Sequence, residues 1–259
     1  MYLGVEIGGT KLQVAACDKR GQVRELIRAA GNRRLGRAGI LRQLEGLVGA
    51  QRGVRAIGVG FGGPVDSATG RVVKSHQVAG WSGFELRRWF EKEFALPVVV
   101  ENDSNCAALA EARCGAGRCK RVVLYSNVGT GIGGGLVVDG TLYNGRFGAM
   151  EIGHTKFGGQ TVESLASGLA IERGVSSVTE AARWYGAAIA NAITLLNPDV
   201  VVIGGGVSLA GEKFWRPLRT TVNKLVFPPF RNNFRLVPAR LGETVVVVGA
   251  ALLAAERRG

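Results

Sequence analysis

Short apolar runs rich in β-branched residues alternate along this chain with longer stretches whose apolar residues recur every three or four positions. The short runs predict strands at residues 2–7, 12–17, 22–27, 56–61, 96–100, 121–127, 135–138, 141–143 and 200–203. The longer stretches predict helices at 38–48, 84–94, 105–112, 178–196 and 213–225. The helix at 178–196 stops at Asn197-Pro198, because proline cannot continue a helix. Residues 244–258 hold an apolar run that reads as either strand or helix. In 84–94, the residues Phe84, Trp89, Phe90 and Phe94 read as core packing rather than a platform for stacking bases. Strands alternating with helices place the chain in the α/β class.

One order occurs twice. Strand, glycine turn, strand, turn, strand fills the start of the chain, and the same order begins again near Arg121 and closes at the Asp139-Gly140 turn before 141–143. A repeat of that size argues for two related domains rather than a solenoid. Their expected extents are 1–112 together with 246–259, and 113–245.

Composition narrows the class. With 46% hydrophobic and 20% charged residues over 259 positions, the chain can bury a sizeable core. Its 40 glycines are about twice the usual fraction, so tight turns and close backbone approach recur. The net charge of +13 invites a nucleic-acid reading, yet the arginines are scattered in pairs such as Arg33-Arg34 and Arg87-Arg88 rather than gathered in a stripe. Specific nucleic-acid binding is therefore not expected, whereas attraction for anionic substrates is. No helix-turn-helix pattern precedes the first strand. The cysteines Cys17, Cys106, Cys114 and Cys119 are too few and too uneven for a disulfide framework and read as reduced thiols of a cytoplasmic protein. Met1-Tyr2-Leu3 lacks the basic start of a signal peptide, and the apolar run 245–255 is too short to span a bilayer, so no membrane partner is expected.

Candidate chemistry sits at the ends of predicted strands. Glu101-Asn102-Asp103-Ser104 lies where a hydrophobic strand gives way to a helix, a place that suits either a general base or a structural acid at a helix N-terminus. Gly8-Gly9-Thr10-Lys11 lacks P-loop spacing and by itself is as consistent with a hairpin turn as with a phosphate cradle. Repetition raises it: Gly129-Thr130-Gly131 with Gly133-Gly134-Gly135 follows a strand in the second half, and Gly204-Gly205-Gly206 follows another. Backbone N–H groups at such turns suit phosphate oxygens.

Taken in order, Gly4-Val5-Glu6-Ile7-Gly8-Gly9-Thr10-Lys11, Gly63-Pro64-Val65-Asp66, Gly80-Trp81, Glu101-Asn102-Asp103-Ser104-Asn105, residues 129–135, Glu151-Ile152-Gly153-His154 and residues 203–207 resemble the ROK family of bacterial glucokinases, other sugar kinases and NagC- and Mlc-like repressors. The likeness runs in register from about residue 3 to 255. It implies a two-domain, actin-like, ribonuclease H-like α/β fold with an interdomain cleft, ATP with Mg²⁺ as cofactors, and a homodimer. It further implies that Asp103 takes the proton from a sugar hydroxyl, and that Gly63, Asn102, Glu151, His154 and Glu163 hold the sugar. Glu6, Gly8, Gly9, Thr10, Lys11, Gly129, Thr130 and Gly131 would face the phosphates, with Gly204, Gly205 and Gly206 bordering the adenosine.

Two departures stand out. Most members carry Asp where this chain has Glu6, one methylene longer, so a Mg²⁺ held there through water would sit differently. After His154, where many members have a cysteine cluster that binds zinc, this chain runs Thr155-Lys156-Phe157-Gly158-Gly159-Gln160-Thr161-Val162-Glu163. No zinc site is expected, which leaves His154 either free to serve a sugar or buried as a structural histidine. The expected function is ATP-dependent phosphorylation of a hexose or amino-hexose. A sugar-sensing regulator and a non-catalytic sugar or nucleotide binder are the alternatives.

Overall fold

The computed structural model describes residues 1–9, 11–32, 34, 36–75, 79–145 and 148–256. In chain order its strands are β1 (Tyr2–Ile7), β2 (Lys11–Cys17), β3 (Val23–Ala30), β4 (Ala56–Phe61), β5 (Val65–Asp66), β6 (Arg71–Val72), β7 (Val98–Asn102), β8 (Val122–Val128), β9 (Ile132–Val138), β10 (Thr141–Tyr143), β11 (Lys156–Phe157), β12 (Gln160–Thr161), β13 (Val200–Gly204) and β14 (Arg235–Pro238). The helices are α1 (Gly36–Gly49), α2 (Leu86–Phe94), α3 (Asp103–Cys114), α4 (Val162–Ala166), α5 (Gly168–Glu172), α6 (Val178–Leu196), α7 (Glu212–Leu225) and α8 (Val245–Glu256). The chain divides into two compact units. The first comprises Met1–Ala110, Gly145–Gly148 and the stretch from Glu243 onward; the second comprises Glu111–Asn144 and Ala149–Gly242.

Each unit is built on a five-stranded mixed sheet. In the first the order is β3-β2-β1-β4-β7, and in the second β10-β9-β8-β13-β14. The strand senses also match: β1 runs antiparallel to β2 and parallel to β4, as β8 runs antiparallel to β9 and parallel to β13. The repeat read in the sequence is thus a repeat of topology. Central parallel strands are covered on both faces, which is why β4 and β13 are buried at every position and read as unbroken apolar runs.

The first unit closes with α8, which settles the ambiguous run 244–258 as a helix. This helix is apolar all round because it is buried all round. It packs backbone against backbone: a Cβ on Gly4 would lie 1.8 Å from the Val247 carbonyl oxygen, and one on Gly58 1.8 Å from that of Ala250. The aromatic residues of α2 pack as the sequence implied, with Trp89 edge-on to Phe90 at 4.9 Å and Phe90 fully buried.

Three expectations change. The strand predicted at 96–100 runs on through Glu101 and Asn102, and the following helix starts at Asp103 rather than 105, because Asn102 supplies the cap. Gly133, Gly134 and Gly135 are strand residues of β9, not loop: a Cβ on Gly134 would come within 2.6 Å of the Met150 carbonyl oxygen, so the strand needs glycine for close packing. Phe84 precedes α2 instead of opening it. The strands β5, β6, β11 and β12, of two residues each, carry too little periodicity to be read from sequence.

Candidate functional site

In the first unit the parallel register decides what comes together. Ile7, Phe61 and Asn102 are aligned across β1, β4 and β7, so the segments that follow them leave the sheet side by side. These are Gly8-Gly9, Gly62-Gly63 and Asp103. The carboxyl ends of parallel strands are where open α/β sheets bind ligands. The turn is closed by the Gly8 N–H donating to the Lys11 carbonyl at 3.0 Å, and Gly62 N–H donates to the Ile7 carbonyl at 2.9 Å. A Cβ on Gly62 would lie 3.4 Å from Asp103 Oδ2 and 3.6 Å from the Gly8 Cα, which puts the Asp103 carboxylate against the glycine turn. Thr10, assigned to the same turn by resemblance, lies outside the described residues.

Asn102 organises the junction. Its Oδ1 accepts from the N–H groups of Ser104 at 2.9 Å and Asn105 at 3.2 Å, while its Nδ2 donates to the Gly63 carbonyl at 3.1 Å. Glu101 Oε1 in turn accepts from the Asn102 N–H at 2.8 Å and from Asn105 Nδ2 at 3.0 Å. Asp103 Oδ1 accepts from the Ser104 N–H at 2.7 Å. The cap of α3 is therefore made by Asn102, with Asp103 in the first turn as the half-buried acid that faces the glycine segment.

Glu6 stands one residue before the end of β1. Its Oε2 accepts from Gln13 Nε2 at 3.0 Å and lies 3.3 Å from Lys11 Nζ. Burial pushes its carboxyl up to about 7; Lys11 opposes that shift and the negative charge of Asp103 adds to it. Gln13, fully buried and bridging Glu6 to the Glu243 carbonyl, was not singled out in the sequence; the only cue was a polar residue inside an apolar strand.

The second unit repeats the arrangement. Gly204 is in register with Asn127, so Gly129-Thr130-Gly131 and Gly205-Gly206 leave β8 and β13 together. Gly205 has φ +88°, and a Cβ there would meet the Val128 carbonyl oxygen at 2.3 Å. The Gly168 N–H donates to the Gly129 carbonyl at 2.6 Å, bringing the start of α5 to the turn. Between them lies a cavity of about 370 Å³ lined by Gly129, Thr130, Gly168, Leu169, Gly206 and Val207, with Glu172 at its edge. Two glycine motifs read in the sequence thus share one pocket of ligand size. Leu169 and Glu172 carried no sequence signal, whereas Val207 closes the last of the motifs that resemble the family.

The other three expected sugar contacts gather around Ile132. Glu163, in the first turn of α4, accepts from the Ile132 N–H through Oε2 at 2.8 Å. The 3-10 turn Ile152–His154 presses on the same residue, since a Cβ on Gly153 would sit 2.3 Å from the Ile132 carbonyl oxygen. Glu151 and His154 are exposed, with His154 Nε2 4.0 Å from Glu151 Oε2. The reading of His154 as a buried structural histidine is corrected: its side chain is 69% exposed. The Glu163 carboxylate ties α4 to the residue that follows the glycine turn.

The glycines beside the pocket let backbone segments pack closely: a Cβ on Gly168 would lie 2.8 Å from the Gly129 carbonyl oxygen, and one on Gly205 would meet the Val128 carbonyl oxygen. Among the described residues there is no group of three or more His, Cys, Asp or Glu able to hold a metal by itself. Mg²⁺ that arrives with nucleotide phosphates needs only one or two protein carboxylates, and Glu6 beside Asp103 meets that requirement.

The ROK family model matches residues 2–177 and 160–257. The chain belongs to the ROK family. It is 29% identical to a glucokinase of Halalkalibacterium halodurans, over 97% of this chain and 94% of that one. The alignment spans 311 positions, more than the 259 residues present here, so the shared fold is kept while segments are missing. Among solved structures, the ROK family glucokinase of Streptomyces griseus in complex with glucose and AMPPNP is 31% identical, with a TM-score of 0.86 and 98% of both chains covered. The ROK hexokinase of Thermus thermophilus is also 31% identical, with a TM-score of 0.85 over 98% of this chain and 97% of that one. A xylose repressor of Caldicellulosiruptor bescii is 26% identical over 76% of this chain and 62% of its own length. The fold is accordingly the two-domain actin-like one of the ROK glucokinases.

Proposed function

We propose that this chain is an ATP-dependent sugar kinase acting on a hexose or amino-hexose, with Asp103 as general base. The observation that carries the reading is the division of labour after β7: Asn102 makes the helix cap, and Asp103 turns its carboxylate to the glycine segment.

Asp103 would accept the proton of the attacking hydroxyl, and Asn102, the Gly63 segment, Glu151, His154 and Glu163 would orient the sugar. Pyranose hydroxyls need several fixed donors and acceptors, and phosphoryl transfer is governed by positioning and charge neutralisation. Gly8, Gly9, Lys11, Gly129, Thr130 and Gly131 would hold the phosphates. Gly204, Gly205 and Gly206 would border the adenosine. The Glu172 carboxylate repels a triphosphate, so it belongs at the ribose end, where hydroxyl donors meet it. Mg²⁺, when bound, would neutralise charge on the phosphate oxygens near Glu6. The same reading makes the protein a cytoplasmic homodimer.

Relatives that are glucokinases, among them one solved with glucose and AMPPNP, support this reading. A sugar-sensing regulator is the second reading, favoured by the repressor relative. Release of ADP across a small panel of hexoses and amino-hexoses separates the two. Asp103→Asn tests the mechanism: sugar binding measured by calorimetry is retained while turnover falls by about 10² or more. A folded variant with retained turnover removes Asp103 as base.

A further inference from the structure

The first unit holds a second cavity, of about 520 Å³, that none of the glycine turns, Asn102 or Asp103 lines. Its walls are the segment preceding α2, one face of α2, and Arg37 of α1. On α2 the positions Glu85, Arg88, Trp89 and Lys92 fall on one face by helical spacing, so two cations one turn apart flank an indole. Arg37 adds a third cation from across the cavity, with its guanidinium 4.4 Å over the Phe84 ring and an Nη1 donating to the Gly80 carbonyl. Against these three cations the lining offers one carboxylate, Glu85, which Arg88 meets at 3.2 Å. Among the described residues Lys92 has no ion-pair partner.

The wall is built rather than loose. Gly83 N–H donates to the Val72 carbonyl at 2.8 Å, Phe84 N–H to the Trp81 carbonyl at 2.9 Å, and Arg71 Nε to the Gly83 carbonyl at 3.0 Å. Behind it Trp81 is fully buried, edge-on to Phe84 at 5.5 Å and to Phe61 at 5.3 Å. Glu85 offsets one of the three charges around this open, aromatic-walled depression, and an anion among them would offset the surplus that Arg37 and Lys92 leave. Arginine and lysine together, with few competing carboxylates, match the oxygens of a phosphate group.

We propose that this cavity is a second ligand site, for a phosphate-bearing small molecule whose phosphate lies among Arg37, Arg88 and Lys92. A carbon body attached to that phosphate would pack on Trp89. The site stands whether or not the kinase reading holds, since it uses none of the residues assigned there.

Calorimetric titration of the full chain tests it, with inorganic phosphate and glucose 6-phosphate as probes, excess glucose present, and about 0.15 M salt. The expected result is a saturable event in the wild type that weakens tenfold or more in Arg88→Ala/Lys92→Ala and survives in Asp103→Asn. Lys92→Gln alone gives a smaller loss in the same direction, and unchanged thermal unfolding with unchanged kinase turnover shows that the variants are folded. Tighter binding of the ester than of phosphate assigns the carbon body to Trp89; equal binding assigns the site to free phosphate, and either supports a phosphate site. Binding identical in the wild type and both Arg88/Lys92 variants overturns the proposal. So does a signal that sulfate reproduces equally and salt abolishes, because that is diffuse screening rather than a site.

Discussion

Glu6 shows how one substitution within a shared motif changes the physics of a residue. The carboxylate is placed where a shorter aspartate usually stands, buried beside Gln13 and Lys11, and its proton affinity is raised from the ordinary 4.5 to about 7. A raised acid takes up protons on folding, so the contribution of Glu6 to unfolding free energy is fully present below about pH 4.5, falls as pH rises through the window to 7, and is lost above it. The size of that fall is about 3 kcal/mol, from a shift of between two and three units at about 1.4 kcal/mol each. Denaturant unfolding of the ligand-free protein at pH 4.5, 5.5, 6.5 and 7.5, compared with Glu6→Gln, checks it. The variant loses the slope across this window; equal slopes in both would place the titrating group elsewhere. Asp103 was legible in the sequence as an acid at a strand end, and Glu6 through the resemblance to the family. What was not legible was the service of Asn102 as the cap and of Glu163 as the clasp on the Ile132 N–H, because each depends on a partner brought in by the fold.

At the scale of elements, the segment that replaces the cysteine cluster forms a hairpin. Lys156 pairs with Thr161 and Phe157 with Gln160, joined by Gly158 at φ +54° and Gly159 at φ +87°. Two successive positive φ values make a type I′ turn, the two-residue connection whose twist suits antiparallel strands. Phe157 packs on Trp184 of α6 with ring centroids 6.0 Å apart, and Thr161 caps α4 by accepting from the Ser164 N–H at 3.1 Å. Backbone pairing, one aromatic contact and a cap order this segment. Prolonged dialysis against a chelator is therefore expected to leave the melting temperature unchanged and to release no stoichiometric zinc, whereas Trp184→Ala lowers it by a few degrees, about 1 kcal/mol for a half-exposed aromatic pair. A drop in melting temperature on chelation would mean that a metal still staples this segment. Long periodic helices such as α6 were readable almost to the residue because spacing, capping Ser177 and Pro198 all agree. The hairpin was read only as a shortened loop, since two residues per strand give no period and Gly158-Gly159 alone does not reveal what it joins.

The whole molecule repeats one sheet topology, and the sequence shows it as a repeat of strand and glycine order. Charge is the property that belongs to no single element. The excess of +13 is spread over both units, with Arg24, Arg52 and Arg55 on the first and Arg118, Lys120, Arg183, Arg216 and Lys224 on the second among the exposed or half-exposed cations. A surface of that kind attracts polyanions through released counterions without reading their sequence. Where a regulator concentrates cations on an element that enters a groove, this chain places Arg37, Arg88 and Lys92 around a depression of about 520 Å³. We therefore expect that duplex DNA binds weakly and indifferently to sequence, with a logarithmic affinity that falls steeply and linearly as the logarithm of salt concentration rises. Fluorescence anisotropy with two unrelated duplexes between 50 and about 200 mM salt measures this. A preference for one duplex that survives at the upper salt concentration would replace the kinase reading with a regulator. Binding to both that vanishes there leaves the excess charge to act on small anions, the nucleotide and the phosphate-bearing ligand, which it draws to two separate pockets.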